Sequence, residues 1–139
     1  MINMTLSIEQ LLDKTKRTQY VGKDVLSTCP DPKRVGKLYF FTLGEYITND
    51  ELEKEYESRG LVPASVREIA VYDIKNRDEM DEMMYVGTHW KDAKGNWCFA
   101  TFDRWYGRRV VSVHRHVYGW YGNWWFAGVR KSSTKPSND

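Results

Sequence analysis

His114 and His116 lie two residues apart in the stretch VVSVHRHVYG, residues 110–119. Alternating apolar positions predict a strand there, and side chains two apart on a strand share a face. Val110 and Ser112 fall on that face as well. With a turn at Tyr106–Gly107, position 114 pairs with 99 and position 110 with 103. Asp103 then joins the same face about two residues from His114. Two imidazoles and a carboxylate are zinc-ligand types, but a closed zinc site has four ligands and the i,i+2 pair brings no further signature. No metal is expected. Asp103, Ser112 and His114 are also the residue types of a hydrolytic triad, yet no nucleophile elbow or oxyanion motif accompanies them. The chain has no P-loop and no G-x-G-x-x-G, so no nucleotide cofactor is expected either. His89, just before Trp90, reads as the end of a strand. The expectation is a protein that is not an enzyme and carries no cofactor.

A second chemistry is stacking. All six tryptophans (90, 97, 105, 120, 124 and 125) fall after residue 88. Aromatic residues in a small sheet ordinarily form its core, and Trp97, Trp105, Trp124 and Trp125 are read that way. Trp120 and Tyr121, in a glycine-flanked loop, are expected to be exposed. Beside Arg104, Arg108, Arg109, Arg115 and Lys131 they would suit single-stranded nucleic acid, with bases on the rings and phosphates on the cations.

These residues need elements to hold them. SIEQLLDKTKR predicts a helix with a Ser7/Gln10 capping box, and TNDELEKEYESRG a stronger one with Thr48 and Glu51 as the box and Gly60 as the stop. PASVREIAVYDIKN predicts a third, opened by Pro63, with Val66, Ile69, Ala70 and Ile74 along one stripe. LYFFTLG, residues 38–44, predicts a buried strand, STCPDPKRVGK a loop, and RDEMDEMMYVG a connecting loop. From residue 88 the chain reads as strands alone: a hairpin turning at Asp92–Gly95, then RRVVSVHRH, then WWFAGVRK. The fold class is therefore α+β, N-terminal helices packed on a C-terminal antiparallel β-meander. One domain is expected over residues 1–131, with a polar tail at 132–139.

Charge is unevenly spread. The net charge of +2 hides +3 over residues 1–40, −7 over 41–85 and +6 over 86–131. The simplest reading is that the acidic middle neutralises the basic C-terminal part across the fold. No apolar run approaches the roughly 18 residues of a spanning helix, and no signal-peptide pattern opens the chain, so no membrane insertion and a cytoplasmic location are expected. Cys29 and Cys98 show no CxxC spacing and read as two reduced thiols.

The stretch from Tyr106 to Asn123 has one further property. Apart from Trp120, every residue type in it can be encoded by an N-N-C codon. Lys, Glu, Gln and Met, which supply 27 of the 139 residues, are absent from Cys98 to Arg130. Randomising asparagine codons at their adenines gives this set: Tyr, Ser, His, Gly, Val, Asn and Arg. The pattern resembles the variable proteins of diversity-generating retroelements, over roughly Asn96 to Lys131. FATFDRW would be the fixed strand leading in, residues 106–123 the variable region, and WWFAGVRK the fixed closing strand. The resemblance implies a C-type lectin-like fold that displays changing side chains for ligand binding. It implies contacts from Tyr106, Arg108, Val110, Ser112, His114, His116, Tyr118, Trp120, Tyr121 and Asn123. The implied partner is a macromolecular ligand, most simply a protein. A small nucleic-acid-binding protein and a mobile-element inhibitor of a larger enzyme are the alternatives.

Overall fold

The computed structural model describes residues 5–32, 35–115 and 118–131. The first helix, α1 (Ile8–Lys14), is opened by the expected box: Ser7 Oγ accepts from the Gln10 amide and Gln10 Oε1 from the Ser7 amide. A short strand, β1 (Thr18–Val21), and a single helical turn, α2 (Lys23–Leu26), follow. β2 (Tyr39–Thr42) occupies the centre of the run predicted as a strand. β3 (Ile47–Thr48) leads into α3 (Asn49–Ser58), capped by Thr48 and Glu51 as expected. Gly60 lies at φ 70°, a left-handed conformation that glycine adopts without strain.

β4 (Leu61–Pro63) and α4 (Val66–Lys75) correct the reading that Pro63 opens the helix. Pro63 ends a strand, and Ser65 caps α4 in a box with Glu68. The expected connecting loop is a helix, α5 (Arg77–Met83), with Asp78 and Glu79 in its first turn and Met80 buried as its anchor. β5 (Val86–Lys91), β6 (Trp97–Trp105), β7 (Arg108–Arg115), β8 (Gly119–Trp120) and β9 (Trp125–Arg130) are the remaining elements of the described residues.

The main sheet runs β1-β7-β6-β5-β9-β2, with β4 also on β9; β3 and β8 form a small second sheet. β5, β6 and β7 are the expected antiparallel meander, and Phe99↔His114 and Asp103↔Val110 pair in the expected register. The sheet as a whole is mixed. β9 returns to lie parallel to β5, and β1 lies parallel to β7. The architecture is α+β.

Both faces of the sheet are covered. On one, Ala100, Phe102, Val111 and Val113 are completely buried against α1, α2, α4 and α5. On the other, Leu52 and Tyr56 of α3 pack with Phe41, Trp120 and Phe126. Gly87 makes room for the Trp120 indole: a Cβ there would lie 2.6 Å from its Cζ3 atom. At the other end a buried ion network ties the halves of the chain together. Asp73 holds Arg17 at 2.7 Å and Arg109 at 2.8 Å, and Asp81 holds Arg109 at 2.7 Å and Arg104 at 3.4 Å. The acidic middle thus neutralises basic residues of β6 and β7.

Candidate functional site

Ten residues were expected on one ligand surface, and the structure divides them. Val110 is 1% exposed and Ser112 is 6% exposed, so neither offers a contact surface. Alternation placed them correctly opposite Val111 and Val113, but that second face is not bare. In the register Tyr20 of β1 lies beside Ser112 and Trp105 of β6 beside Arg108, and their rings meet at 5.3 Å across β7. Trp105 is accordingly half exposed and is not the core residue expected. Trp120, expected in an open loop, is 2% exposed; it lies on Gly87, and its indole N–H donates to Asn49 Oδ1 at 2.9 Å. His116 lies outside the described residues.

The remaining six are at the surface, at two separate places. Tyr106 and Arg108 stand at the β6–β7 turn, where Tyr106 and Gly107 take left-handed φ of 50° and 80°. His114, Tyr118, Tyr121 and Asn123 stand at the far end of β7 and around β8. Seven rises separate Arg108 from Arg115, about 23 Å at the usual strand spacing. The far group gains a member that sequence reasoning missed. Tyr46, just before β3, meets Tyr121 ring to ring at 5.8 Å. Tyr46, Tyr118 and Tyr121 are 53%, 87% and 72% exposed. The backbone beneath them has no freedom. A Cβ on Gly119 would lie 2.6 Å from the Ile47 carbonyl, and one on Gly122 would lie 2.5 Å from the Gly44 backbone.

His116, the third candidate metal ligand beside Asp103 and His114, lies outside the described residues. Among the described residues no three metal-ligating side chains converge. Asp103 Oδ1 is buried without a hydrogen-bond partner, and burial pushes the carboxyl above the usual range, with Arg17 offsetting this in part. The cations proposed for nucleic acid are largely engaged: Arg104 and Arg109 by Asp81, and Arg115 by Asp92 at 3.1 Å. Arg108 and Lys131 are exposed.

A second site lies on the opposite edge of β5. A cleft of about 980 Å³ opens between β5, β4 and the start of α3, with Pro30, Val62, Pro63, Trp90, Trp97 and Val129 as apolar walls. Two of its lining residues, His89 and Glu53, form a chain with the buried Asn49. His89 Nδ1 is 2.7 Å from Asn49 Oδ1, and Nε2 is 2.6 Å from Glu53 Oε2. The indole of Trp120 can only donate, so the Asn49 atom it meets is the amide oxygen. Nδ1 must then carry a proton to bond that same oxygen. The Nε2–Glu53 contact requires one further proton between ring and carboxyl. Burial draws His89 below its ordinary pKa, and Glu53 reverses this only in part. Trp97 stacks on the imidazole at 4.2 Å and receives the Lys91 ammonium at 4.9 Å. Cys29 also lines the cleft, but burial pushes its thiol to about 11, which leaves it a poor nucleophile. His89 was read only as the end of a strand. Its partners on α3 are 40 and 36 positions away, a separation that no local pattern reveals.

The chain matches no known protein family, no curated protein and no solved structure. The functional reading therefore rests on this geometry. No helix of the described residues is long and apolar enough to cross a membrane.

Proposed function

We propose that the chain is a non-enzymatic binding module whose contact surface is diversified, similar to the variable proteins of diversity-generating retroelements. On this reading the fold is C-type lectin-like and the ligand is a macromolecule, most simply a protein. One observation carries the proposal. His114, Tyr118, Tyr121 and Asn123 are exposed, Tyr46 stands beside them, and the glycines and tryptophan interleaved with them are fixed by close packing. Side chains free to change thus sit on a frame that cannot. Tyrosine suits such a surface because it brings large contact area at low entropy cost.

The proposal makes a positional claim about related copies at the same locus. Variation falls at 106, 108, 114, 118, 121 and 123. Gly119, Trp120 and Gly122 stay fixed although they lie in the same stretch. Sequencing the locus tests this, together with a neighbouring reverse transcriptase gene and a template repeat differing only at adenines. Variation at Gly119 and Gly122 equal to that at Tyr118 and Tyr121, or absence of the repeat, overturns it. The engaged arginines weaken the nucleic-acid alternative, whose signature would be binding of random single strands that falls steeply with salt.

A further inference from the structure

The cleft beside β5 exists because a ladder is interrupted. The Trp125 N–H donates to the Tyr85 carbonyl at 2.8 Å, so the main-chain groups of Tyr85 point toward β9. Main-chain groups of alternate residues share an edge, which sends those of Gly87, His89 and Lys91 the same way. The β5–β9 pairing nevertheless ends at Gly87↔Phe126. Beyond it β4 takes the place beside β9, with Pro63 opposite Gly128 and the Ala64 N–H on the Ala127 carbonyl at 2.9 Å. By the same alternation Pro63 faces β5, and proline has no N–H to give. β4 and β5 are joined by the Thr88 hydroxyl, which donates to the Ala64 carbonyl at 2.7 Å, and by no ladder among the described residues. Among the described residues, the N–H and C=O groups of His89 and Lys91 on this edge therefore have no ladder partner across the cleft.

The charges at this edge are asymmetric. Asp50 and Glu53 of α3 line the cleft, and the Glu53 carboxylate is 44% exposed, with one oxygen held by His89. Two lysines line the cleft against four carboxylates: the Lys91 ammonium is drawn onto the Trp97 ring, and Lys54 follows Glu53 on α3. Of the other lining carboxylates, Asp31 is held by Arg67 at 2.6 Å and Glu68 by the α4 cap. Among the described residues no lysine or arginine pairs with Glu53 or Asp50, which are left to receive a positive charge.

We propose that this cleft binds an extended peptide that adds a strand to the outer edge of β5 and places a lysine or arginine against Glu53 and Asp50. The main chain of the peptide bonds His89 and Lys91, and its apolar side chains lie along Val62, Trp90 and Val129. This is strand addition, in which main-chain bonds give affinity and side-chain pockets give selectivity. The site is separate from the tyrosine surface and does not depend on it.

The test uses three immobilised libraries of random heptapeptides, with lysine, alanine or glutamate fixed at the centre, and the full chain as probe. Enrichment from the lysine library over the other two is expected. In the selected peptides, N-methylation of alternate amides abolishes binding and methylation of the intervening ones does not. Hydrogen exchange at the His89 and Lys91 amides slows on binding. Glu53→Gln weakens the lysine peptides about tenfold, as loss of one charge-assisted bond should. Val62→Trp fills the cleft from a surface position and abolishes binding with an unchanged melting temperature, whereas Tyr118→Ala has no effect. The proposal is overturned if no library is enriched, if the three are enriched equally, if N-methylation is without effect, or if folded Val62→Trp still binds.

Discussion

Replacing Asn49 with leucine should be among the most damaging single changes in the protein. The side chain is close in size, and leucine is a good helix former, so α3 itself has no reason to fail. The damage comes from two donors. Trp120 Nε1–H and His89 Nδ1–H both end on Asn49 Oδ1, at 2.9 and 2.7 Å, and both rings are buried. Each buried donor left without an acceptor costs about 1–3 kcal/mol, so the expected loss is about 2–6 kcal/mol. A domain of ordinary stability has about 5–15 kcal/mol in all. With roughly 3–5 °C per kcal/mol at this size, the melting temperature should fall by roughly 6–30 °C. Asn49→Asp keeps an acceptor for both donors and should lose less than half as much. Thermal melts followed by circular dichroism and tryptophan fluorescence measure both. If Asn49→Leu melts within about 2 °C of the parent, the two bonds do not hold α3 to the sheet, and the protonation state assigned to His89 loses its basis.

Gly87→Ala puts a methyl group 2.6 Å from the Trp120 ring and should cost about 1–3 kcal/mol, read as a lowered denaturant midpoint; an unchanged midpoint would show that the indole can move aside. The Asp103 carboxyl has a raised folded pKa, so the native state binds more protons than the unfolded chain above the ordinary value of 3.8, and stability is lost as pH rises through the folded value. Asp103→Asn should therefore be at least as stable as the parent at pH 7 and lose that advantage toward pH 3, which denaturant titrations across the range will show; a less stable variant at pH 7 would refute this. Val113→Asp buries an unpaired charge on the face of β7 that packs with α1 and α2, and should prevent folding. The triple change of His114, Tyr118 and Tyr121 to alanine should shift stability by no more than about 0.5 kcal/mol per site. Folded Val113→Asp and a collapsed triple variant, compared by thermal melt, would reverse the assignment of faces.

Much of the architecture was legible because it is written locally. The capping boxes at Ser7 and Thr48 and the turn at Tyr106–Gly107 are decided by residues within four positions of one another. The turn then set the whole β6–β7 register. Alternation also said correctly which side chains share a face, but not what lies over that face. Val110 and Ser112 have Thr18 and Tyr20 beside them on β1, a four-residue strand whose sequence, TQYV, gives little signal of its own. The exposure expected of Trp120 failed for a similar reason: flanking glycines suggested an open loop, whereas they admit a close approach of backbones. A glycine inside β5 was the one sign that a large ring would settle on that strand. Asn49, His89 and Glu53 gave no sign, because their chemistry appears only when α3 is laid across β5.

The place of β9 in the sheet bears on how the molecule is made. Residues 125–130 follow every other strand in the sequence, yet β9 lies between β5 on one side and β2 on the other, and β4 is held through it. A nascent chain emerging from the ribosome can form α1, α3 and the β5–β6–β7 hairpins as they appear. It cannot join β2 and β4 to them until residues 125–130 have also emerged. Until then the edges of three strands wait unpaired, the condition under which incomplete sheets associate with one another. A stalled or proteolysed chain lacking that last segment would reach the cell as an aggregating fragment, so intact protein and productive folding should rise and fall together.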